Sequence, residues 1–466
     1  MTATIGRSTS GLVLGLVGLF AVLGLGFGLV FLKLSPLIIL VLLIGAATVA
    51  VSAFRPYLGV HVIVALLFFE GVTLPTEGAT AMRAFGALLL AGWLAQSFVL
   101  RRTRIRLEAQ HLFILLFIVW SGLSALRSTS SDEALIRVGT FMLLAITSVM
   151  VASVVDTPGR MGRLLAGQLL WTAVAALIAL ALYYSGTTYV AEGLVKNRNL
   201  LALYLNLGLA IAFLLYVVVR GGLAKFLLLI TMPLLLLTLG LTLSRTGLIV
   251  MMATLVLVGY RLLRQRGILM LTMGGAAICL LAFVLPDTFW SRAGTILPSI
   301  ERQNDTFGMR VRIWQSGIRM VEDHPIFGVG PANFKLVLAR YSRGAMATEQ
   351  LNAHNAYVVV AAETGLPGLA LFLGILATGA ISVHRVVRSA RAAGREDLAL
   401  CGIMVETMMF VILCTGITMT VEGMKILWIV FGLGQAVVGM ARRELHGAAA
   451  TAPALAVPSG AETAPV

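Results

Sequence analysis

Residues 234–258, LLLLTLGLTLSRTGLIVMMATLVLV, decide the fold class, because apolar residues fill both sides of the short polar step Ser244-Arg245-Thr246-Gly247. Apolar runs of this kind recur from end to end of the 466-residue chain, which is 59% hydrophobic and only 12% charged. A helix needs about 20 apolar residues to cross a bilayer. The sequence therefore predicts an all-α polytopic integral membrane protein and excludes a soluble one.

The apolar segments predict 12 to 14 transmembrane helices, since one segment is short and the first two can be read as one hairpin. They form a single transmembrane domain, residues 1–446, into which a long polar loop, 287–353, is inserted. Residues 447–466 are rich in Ala and Pro without periodicity, which predicts a disordered cytoplasmic tail. The segments lie near 10–34, 35–53, 57–72, 81–100, 109–127, 134–155, 162–184, 199–219, 222–243, 244–262, 268–285, 354–382, 397–417 and 420–440.

The net charge of +15 is explained by membrane orientation rather than by binding of nucleic acid. Alternate connections between the segments carry the basic residues, which predicts that these connections and both termini are cytoplasmic. The loop 287–353 then faces outward. The basic residues are Arg101, Arg102, Arg104, Arg106, Arg160, Arg163, Arg220, Lys225, Arg261, Arg264, Arg266, Arg385, Arg388, Arg391, Arg395, Arg442 and Arg443.

The outward loop contains a helical pattern. Apolar residues recur every three to four positions, which predicts an amphipathic helix that ends at His324-Pro325. A second short helix is expected from Ala332 towards Tyr341. Helices of this kind can lie along the membrane interface, where Arg and Trp often serve only as anchors to headgroups. The apolar positions are Phe307, Val311, Trp314, Ile318 and Val321.

Two further positions are candidates for anion binding. Arg245 interrupts an apolar run. An arginine inside or at the rim of a membrane is energetically costly, so its presence there indicates a function. Lys196-Asn197-Arg198-Asn199 precedes another long apolar segment, where the N–H groups and dipole of a helix start favour an anion. The alternative for this second position is an ordinary polar helix cap.

His354 opens the segment that follows the outward loop. A single histidine at an interface is usually structural, but an ordinary pKa near 6.5 suits proton transfer at neutral pH. The sequence has no HExxH pattern and no outward DxD pair, so a metal-dependent transferase is disfavoured and no metal ligands are predicted.

These motifs, in this order, resemble the O-antigen ligase and polymerase superfamily. The motifs are Asn197-Arg198-Asn199, Ser244-Arg245-Thr246-Gly247, Arg310-x-x-x-Trp314, His324-Pro325-x-x-Gly328-x-Gly330-x-x-x-Phe334, His354-Asn355-x-Tyr357 and Glu363-x-Gly365-x-x-Gly368.

The resemblance implies a GT-C-like, metal-independent and inverting glycosyltransferase of the bacterial inner membrane that needs no cofactor. It would transfer a glycan from undecaprenyl diphosphate to a sugar of lipid A–core on the periplasmic side, in lipopolysaccharide biosynthesis. His354 would be the base, and Arg198, Arg245 and Arg310 would hold the diphosphate, with Lys196 sharing that role or Arg312 replacing Arg310. The supporting residues would be Asn197, Asn199, Trp314, Asn355 and Tyr357.

Other functions stay open. An O-antigen polymerase uses a similar donor, and Arg319 and Gly330 have the Arg-x10-Gly spacing associated with its loops. A protein O-oligosaccharyltransferase is less favoured, since those relatives commonly carry a larger outer C-terminal region. A secondary transporter would show related halves with interrupted helices, and no such repeat is found.

Overall fold

The computed structural model describes residues 55–69, 81–99, 107–261, 306–342 and 351–446. These residues form helices with short connections, and no strand occurs among them, which confirms the predicted all-α polytopic fold. The helices of the described part are α1 (Pro56–Leu66), α2 (Ala81–Leu94), α3 (Ala109–Ala125), α4 (Ser131–Val154), α5 (Pro158–Tyr184), α6 (Arg198–Val218), α7 (Gly222–Leu241), α8 (245–261), α9 (Thr306–Asp323), α10 (Phe334–Tyr341), α11 (Ala356–Ala392), α12 (Glu396–Gly416) and α13 (Lys425–Ala441).

Seven of these helices are long and apolar enough to cross a membrane, namely α4, α5, α6, α7, α11, α12 and α13 with its extension to Leu445. Two shorter apolar helices, Pro56–Phe69 and α3, accompany them. The predicted spans near 10–34, 35–53 and 268–285, and the tail 447–466, lie outside the described residues. The total of 12 to 14 helices therefore stays a prediction.

The centre of the bundle is built around α13. Nearly every residue of this helix is buried, as expected for a helix that is apolar on all sides. Its Trp428 ring lies 6.3 Å from Phe141 of α4, and Phe117 of α3 lies 5.3 Å from Phe141 and 5.9 Å from Phe372 of α11. This aromatic packing fixes α3, α4 and α11 around α13.

Short connections join the consecutive helices from α3 to α8 and from α11 to α13, so these helices run alternately up and down and the bundle has two distinct ends. We call the end at which α4, α6, α8, α11 and α13 begin the site end. We call the opposite end the basic end, because the basic connections of the described residues named in the sequence analysis lie there. There Arg442 pairs with Glu108 at 2.7 Å and Arg160 pairs with Asp156 at 2.7 Å.

The two helices predicted in the outward loop are present, as α9 and α10. The helix α9 ends at Asp323, directly before His324-Pro325, and α10 begins at Phe334, two residues later than Ala332. Both pack against the first turns of α11 through a small apolar cluster, so they are part of the folded bundle at the site end. The cluster consists of Ile313, Met320, Val329, Phe334, Val337, Leu338, Ala353, Val359 and Ala362.

Not every apolar residue of the predicted α9 pattern packs inward. Ile318 is 53% exposed, whereas Ile313, Ser316, Gly317 and Met320 are buried. The reason is close contact, since a Cβ built on Gly317 would lie only 2.5 Å from Cγ1 of Val358 in α11. Small residues let α9 and α11 approach each other closely, and a pattern of large apolar residues does not include them.

Candidate functional site

The starts of α6 and α8 are joined at the site end. Asn197 caps α6, with its Oδ1 accepting from the N–H groups of Asn199 and Leu200 at 3.0 and 3.1 Å. Ser244 precedes α8, and its Oγ accepts from the N–H of Gly247 at 3.1 Å. The same hydroxyl donates to Oδ1 of Asn199 at 2.8 Å. The hydroxyl of one cap therefore bonds directly to the first turn of the neighbouring helix.

A close contact holds the two helices in this position. A Cβ built on Gly247 would lie 2.7 Å from Cβ of Ala202, and Nδ2 of Asn206 donates to the Gly247 carbonyl at 3.0 Å. Arg198 and Arg245 are each the first helical residue after a cap. The two arginines therefore lie at adjacent helix starts, where the helix dipoles also favour an anion.

Arg310, on α9, is the third member of what we call the arginine cluster, with Arg198 and Arg245. Burial lowers the pKa of Arg310, and the charges of Arg198 and Arg245 lower it further. An arginine nevertheless stays charged at neutral pH. Arg312 lies two residues, or roughly 200° of helix rotation, away from Arg310. Of the two alternatives left by the sequence, the geometry favours Arg310.

His354 lies immediately before the cap of α11 and is half-buried. Burial lowers the pKa of the imidazole, and the charges of Arg310 and Lys335 lower it further. The imidazole is therefore neutral at neutral pH and able to accept a proton. Lys335 is a member of this site that the sequence reasoning missed, because it lies on a short helix with no recognisable motif.

Three of the residues predicted to support the site form hydrogen bonds with backbone groups. Oδ1 of Asn355 caps α11 by accepting from the N–H groups of Tyr357 and Val358, at 3.0 and 3.1 Å. Nε1 of Trp314 donates to the carbonyl of Ala353 at 2.8 Å, which fixes the residue before His354. The Tyr357 hydroxyl donates to the carbonyl of Leu413 in α12 at 3.1 Å.

Four helix starts at the site end share an unusual backbone. Lys196, Leu243, Ala332 and His354 have φ values of 53°, 52°, 61° and 48°, and each directly precedes a helix cap. They are all the non-glycine residues of the described ranges with positive φ. This conformation costs a non-glycine residue roughly 1–2 kcal/mol, and such strain concentrates at functional sites. Lys196 is an exposed residue of this set, and its predicted role with the diphosphate stays a prediction.

The two glycine motifs of the sequence pack against each other. Helix α11 is broken at Gly365, whose φ is 71° and ψ −177°, so it is not the continuous helix that its apolar sequence predicts. The segment 324–331 lies against the break. The N–H groups of Val329 and Gly330 donate to the carbonyls of Ala362 and Glu363 at 2.9 and 3.0 Å, and Leu366 donates to Pro325 at 2.8 Å. These bonds tie the end of α9 to the half of α11 that follows His354.

Gly365 and Gly328 are required by this contact. A Cβ on Gly365 would lie 2.1 Å from the carbonyl oxygen of Ile326, and one on Gly328 would lie 2.5 Å from that of Ala362. Both glycines also have positive φ. The spacing of the motifs thus reflects backbone packing that positions α9, and with it Arg310, relative to His354.

The two residues that suggested a polymerase have local roles. Nη1 of Arg319 donates to the carbonyl of Tyr341 at 2.7 Å, and so connects α9 to the end of α10. Gly330, with φ of 100°, takes part in the contact with α11 described above. Their spacing is thus accounted for by the packing of the loop.

The helices define a multi-pass membrane protein in which the charges of three arginines act together, and that of Arg310 acts on the half-buried His354. Residues 229–373 match the family model described as O-antigen ligase. The match confirms the resemblance to the O-antigen ligase family over about a third of the chain, including Arg245, Arg310 and His354; Arg198 lies outside it. No curated protein matches the chain.

Proposed function

We propose that this protein is an O-antigen ligase. It transfers a glycan from undecaprenyl diphosphate to a sugar of lipid A–core, at the periplasmic face of the bacterial inner membrane. The observation that carries the proposal is the arginine cluster beside His354, an imidazole held neutral by burial and by neighbouring charge. The match of residues 229–373 to the O-antigen ligase family supports it.

The arginine cluster binds the diphosphate of the donor. Guanidinium groups form paired hydrogen bonds with phosphate oxygens, which suits them better than lysine to hold a diphosphate in one orientation. As the bond from the anomeric carbon to the phosphate oxygen breaks, negative charge grows on the leaving diphosphate. Positive charge already in place stabilises that transition state.

His354 acts on the acceptor. Its neutral imidazole accepts the proton of the acceptor hydroxyl while the hydroxyl oxygen bonds to the anomeric carbon, on the face opposite the diphosphate. The new glycosidic bond therefore has the inverted configuration, and the proton remains on His354 until it passes to solvent. Diphosphate is a good leaving group, so the mechanism requires neither a strong general acid nor a metal or other cofactor.

The test is a reconstituted assay with lipid-linked O-antigen and rough lipopolysaccharide. Glycan should appear on lipid A–core, in amounts that depend on His354 and do not change with EDTA. If the product is only a longer undecaprenyl-linked chain, the protein is a polymerase, for which the same donor site would serve. If neither product forms in folded, membrane-inserted protein, the transferase proposal is wrong.

A further inference from the structure

A cavity of about 440 Å³ lies at the site end, next to His354. Asn352 and Ala353, the two residues before His354, line it, as does Lys335, whose charge acts on the imidazole. The starts of α4 and α10, the first half of α11 and the connection between α12 and α13 supply the rest of the wall. Within the described residues, the arginine cluster is not part of this wall.

The charge of this cavity differs from that of the arginine cluster. Three carboxylates line it, those of Glu133, Glu363 and Glu422, against the two cations Arg137 and Lys335. The carboxyl oxygens of this wall can accept hydrogen bonds, so they favour groups that donate them. Sugar hydroxyls are donors of this kind.

Glu422 has an unused acceptor in the wall of the cavity. The residue is only 5% exposed, and its Oε2 is a buried atom without a hydrogen-bond partner among the described residues. By contrast, Oε1 of the equally buried Glu363 accepts from the N–H of Phe334 at 3.3 Å. A buried polar atom without a partner is unfavourable, so a hydrogen bond from a ligand hydroxyl to Glu422 would stabilise the bound state. Burial also raises the pKa of the Glu422 carboxyl, and the charge of Arg137 opposes that shift.

A second cavity of about 450 Å³ adjoins the first and shares with it Glu133, Arg137, Ala332 and Gly423. It follows one face of α4 from Arg137 past Thr140 and Leu144 to Thr147, a rise of about 15 Å at 1.5 Å per residue. Its walls are mainly apolar. The two cavities together therefore have a polar compartment at the site end and an apolar compartment along the bundle.

We propose that the paired cavities bind the acceptor, a membrane-anchored glycan whose hydroxyls contact Glu422 and Arg137 and whose hydrocarbon lies along α4. This inference rests on the proposed function, because it assigns the second substrate of the same site. The donor diphosphate binds at the arginine cluster, and the acceptor sugar reaches His354 from the carboxylate-lined cavity. The arginine cluster favours a diphosphate, whereas the carboxyl oxygens of the cavity favour sugar hydroxyls, so the two substrates bind in different places.

The test compares kinetics for the two substrates in Glu422→Leu, which removes the unused acceptor at similar volume. With rough lipopolysaccharide and lipid-linked O-antigen as probes, the KM for lipopolysaccharide should rise at least about tenfold, equivalent to 1.4 kcal/mol, while the donor KM stays unchanged. Glu406→Leu is the matched control, since Glu406 is a buried carboxylate paired with Arg261 and His384, away from the cavity. The KM for lipopolysaccharide should not rise in the control.

An unchanged KM for lipopolysaccharide in Glu422→Leu, or an equal rise in both KM values, would overturn the proposal. Thr140→Trp fills the apolar compartment and should give the same selective rise, so it decides the matter if Glu422→Leu does not fold. If the wild-type protein transfers no glycan, the proposed function fails, and direct binding of fluorescent rough lipopolysaccharide then tests the cavity. Weaker binding to folded Thr140→Trp than to wild type would support the site, and equal binding would exclude it.

Discussion

The contact of α8 with α6 predicts a large effect for Gly247→Ala. The new Cβ would lie 2.7 Å from Cβ of Ala202 and 3.1 Å from Cδ1 of Leu239, where ordinary van der Waals contact begins at 3.4 Å. The start of α8 must therefore move by about 0.7 Å, because the atom in its way is the Cβ of a rigid helix. Overpacking of this kind costs about 1–3 kcal/mol of stability.

The same displacement changes the distance between Arg198 and Arg245, since each is the first residue of its helix. A misplacement of about 1 Å can cost 10²-fold in rate, so we expect kcat/KM for the donor to fall about 10- to 100-fold. Thermal unfolding in detergent measures the first effect, and the reconstituted transfer assay measures the second.

Gly259→Ala is the matched control, because Gly259 lies on the same helix and no described atom lies within 4 Å of its added Cβ. Replacing glycine by alanine inside a helix should stabilise it by roughly 0.5–1 kcal/mol, without change in donor kinetics. If Gly247→Ala behaves like Gly259→Ala in both measurements, the contact between the helices does not position the arginines.

Three further predictions concern the arginines, the base and the orientation. Arg245→Ala should abolish transfer in protein that still inserts into the membrane. Arg245→Lys should restore only part of the activity, since lysine lacks the planar pair of donors. Full activity of Arg245→Ala in the transfer assay would exclude an essential role for Arg245. His354→Ala should lower the rate about 10²–10⁴-fold. The charge of Lys335 helps to lower the pKa of His354. Lys335→Met should therefore raise that pKa and move the acidic limb of the pH–rate profile to higher pH. An unmoved limb would show that another group titrates there. The orientation is tested with single cysteines in a chain without its native cysteines. A cysteine at Glu322 should react with an impermeant maleimide added outside, whereas one at Arg391 should not. Labelling of both positions would contradict an outward-facing site.

Much of the fold could be predicted from the sequence, because long apolar runs have few alternatives to membrane-spanning helices. The helix starts at Asn197 and Asn355 were also predictable, since polar caps followed by apolar runs leave a clear pattern. The pairing of the first turn of α6 with Ser244 was not, because it depends on how α6 and α8 pack. The break at Gly365 was hidden by the apolar sequence on both sides of it, although Pro367 is a signal for such a break.

The candidate site was predicted in its residue types more than in its geometry. The order of the motifs indicated Arg198, Arg245 and His354, but only the rotation of α9 distinguishes Arg310 from Arg312. Lys335 and Glu422 left no pattern, because only tertiary packing brings the short helix α10 and the connection between α12 and α13 to this end of the bundle. The strained backbone at Leu243 was equally unpredictable, since leucine rarely adopts positive φ.

The like charges around Arg310 have a consequence for turnover. The charges of Arg198 and Arg245 act on the half-buried guanidinium of Arg310, so an anion that enters relieves their mutual repulsion as well as adding its own attraction. In the proposed reaction, the lipid diphosphate left after transfer carries more negative charge than the donor, and it benefits from that relief at least as much. We therefore expect the lipid diphosphate product to dissociate slowly and to compete with the donor for the site. Its lateral release into the bilayer, rather than bond formation, would then limit the rate of turnover.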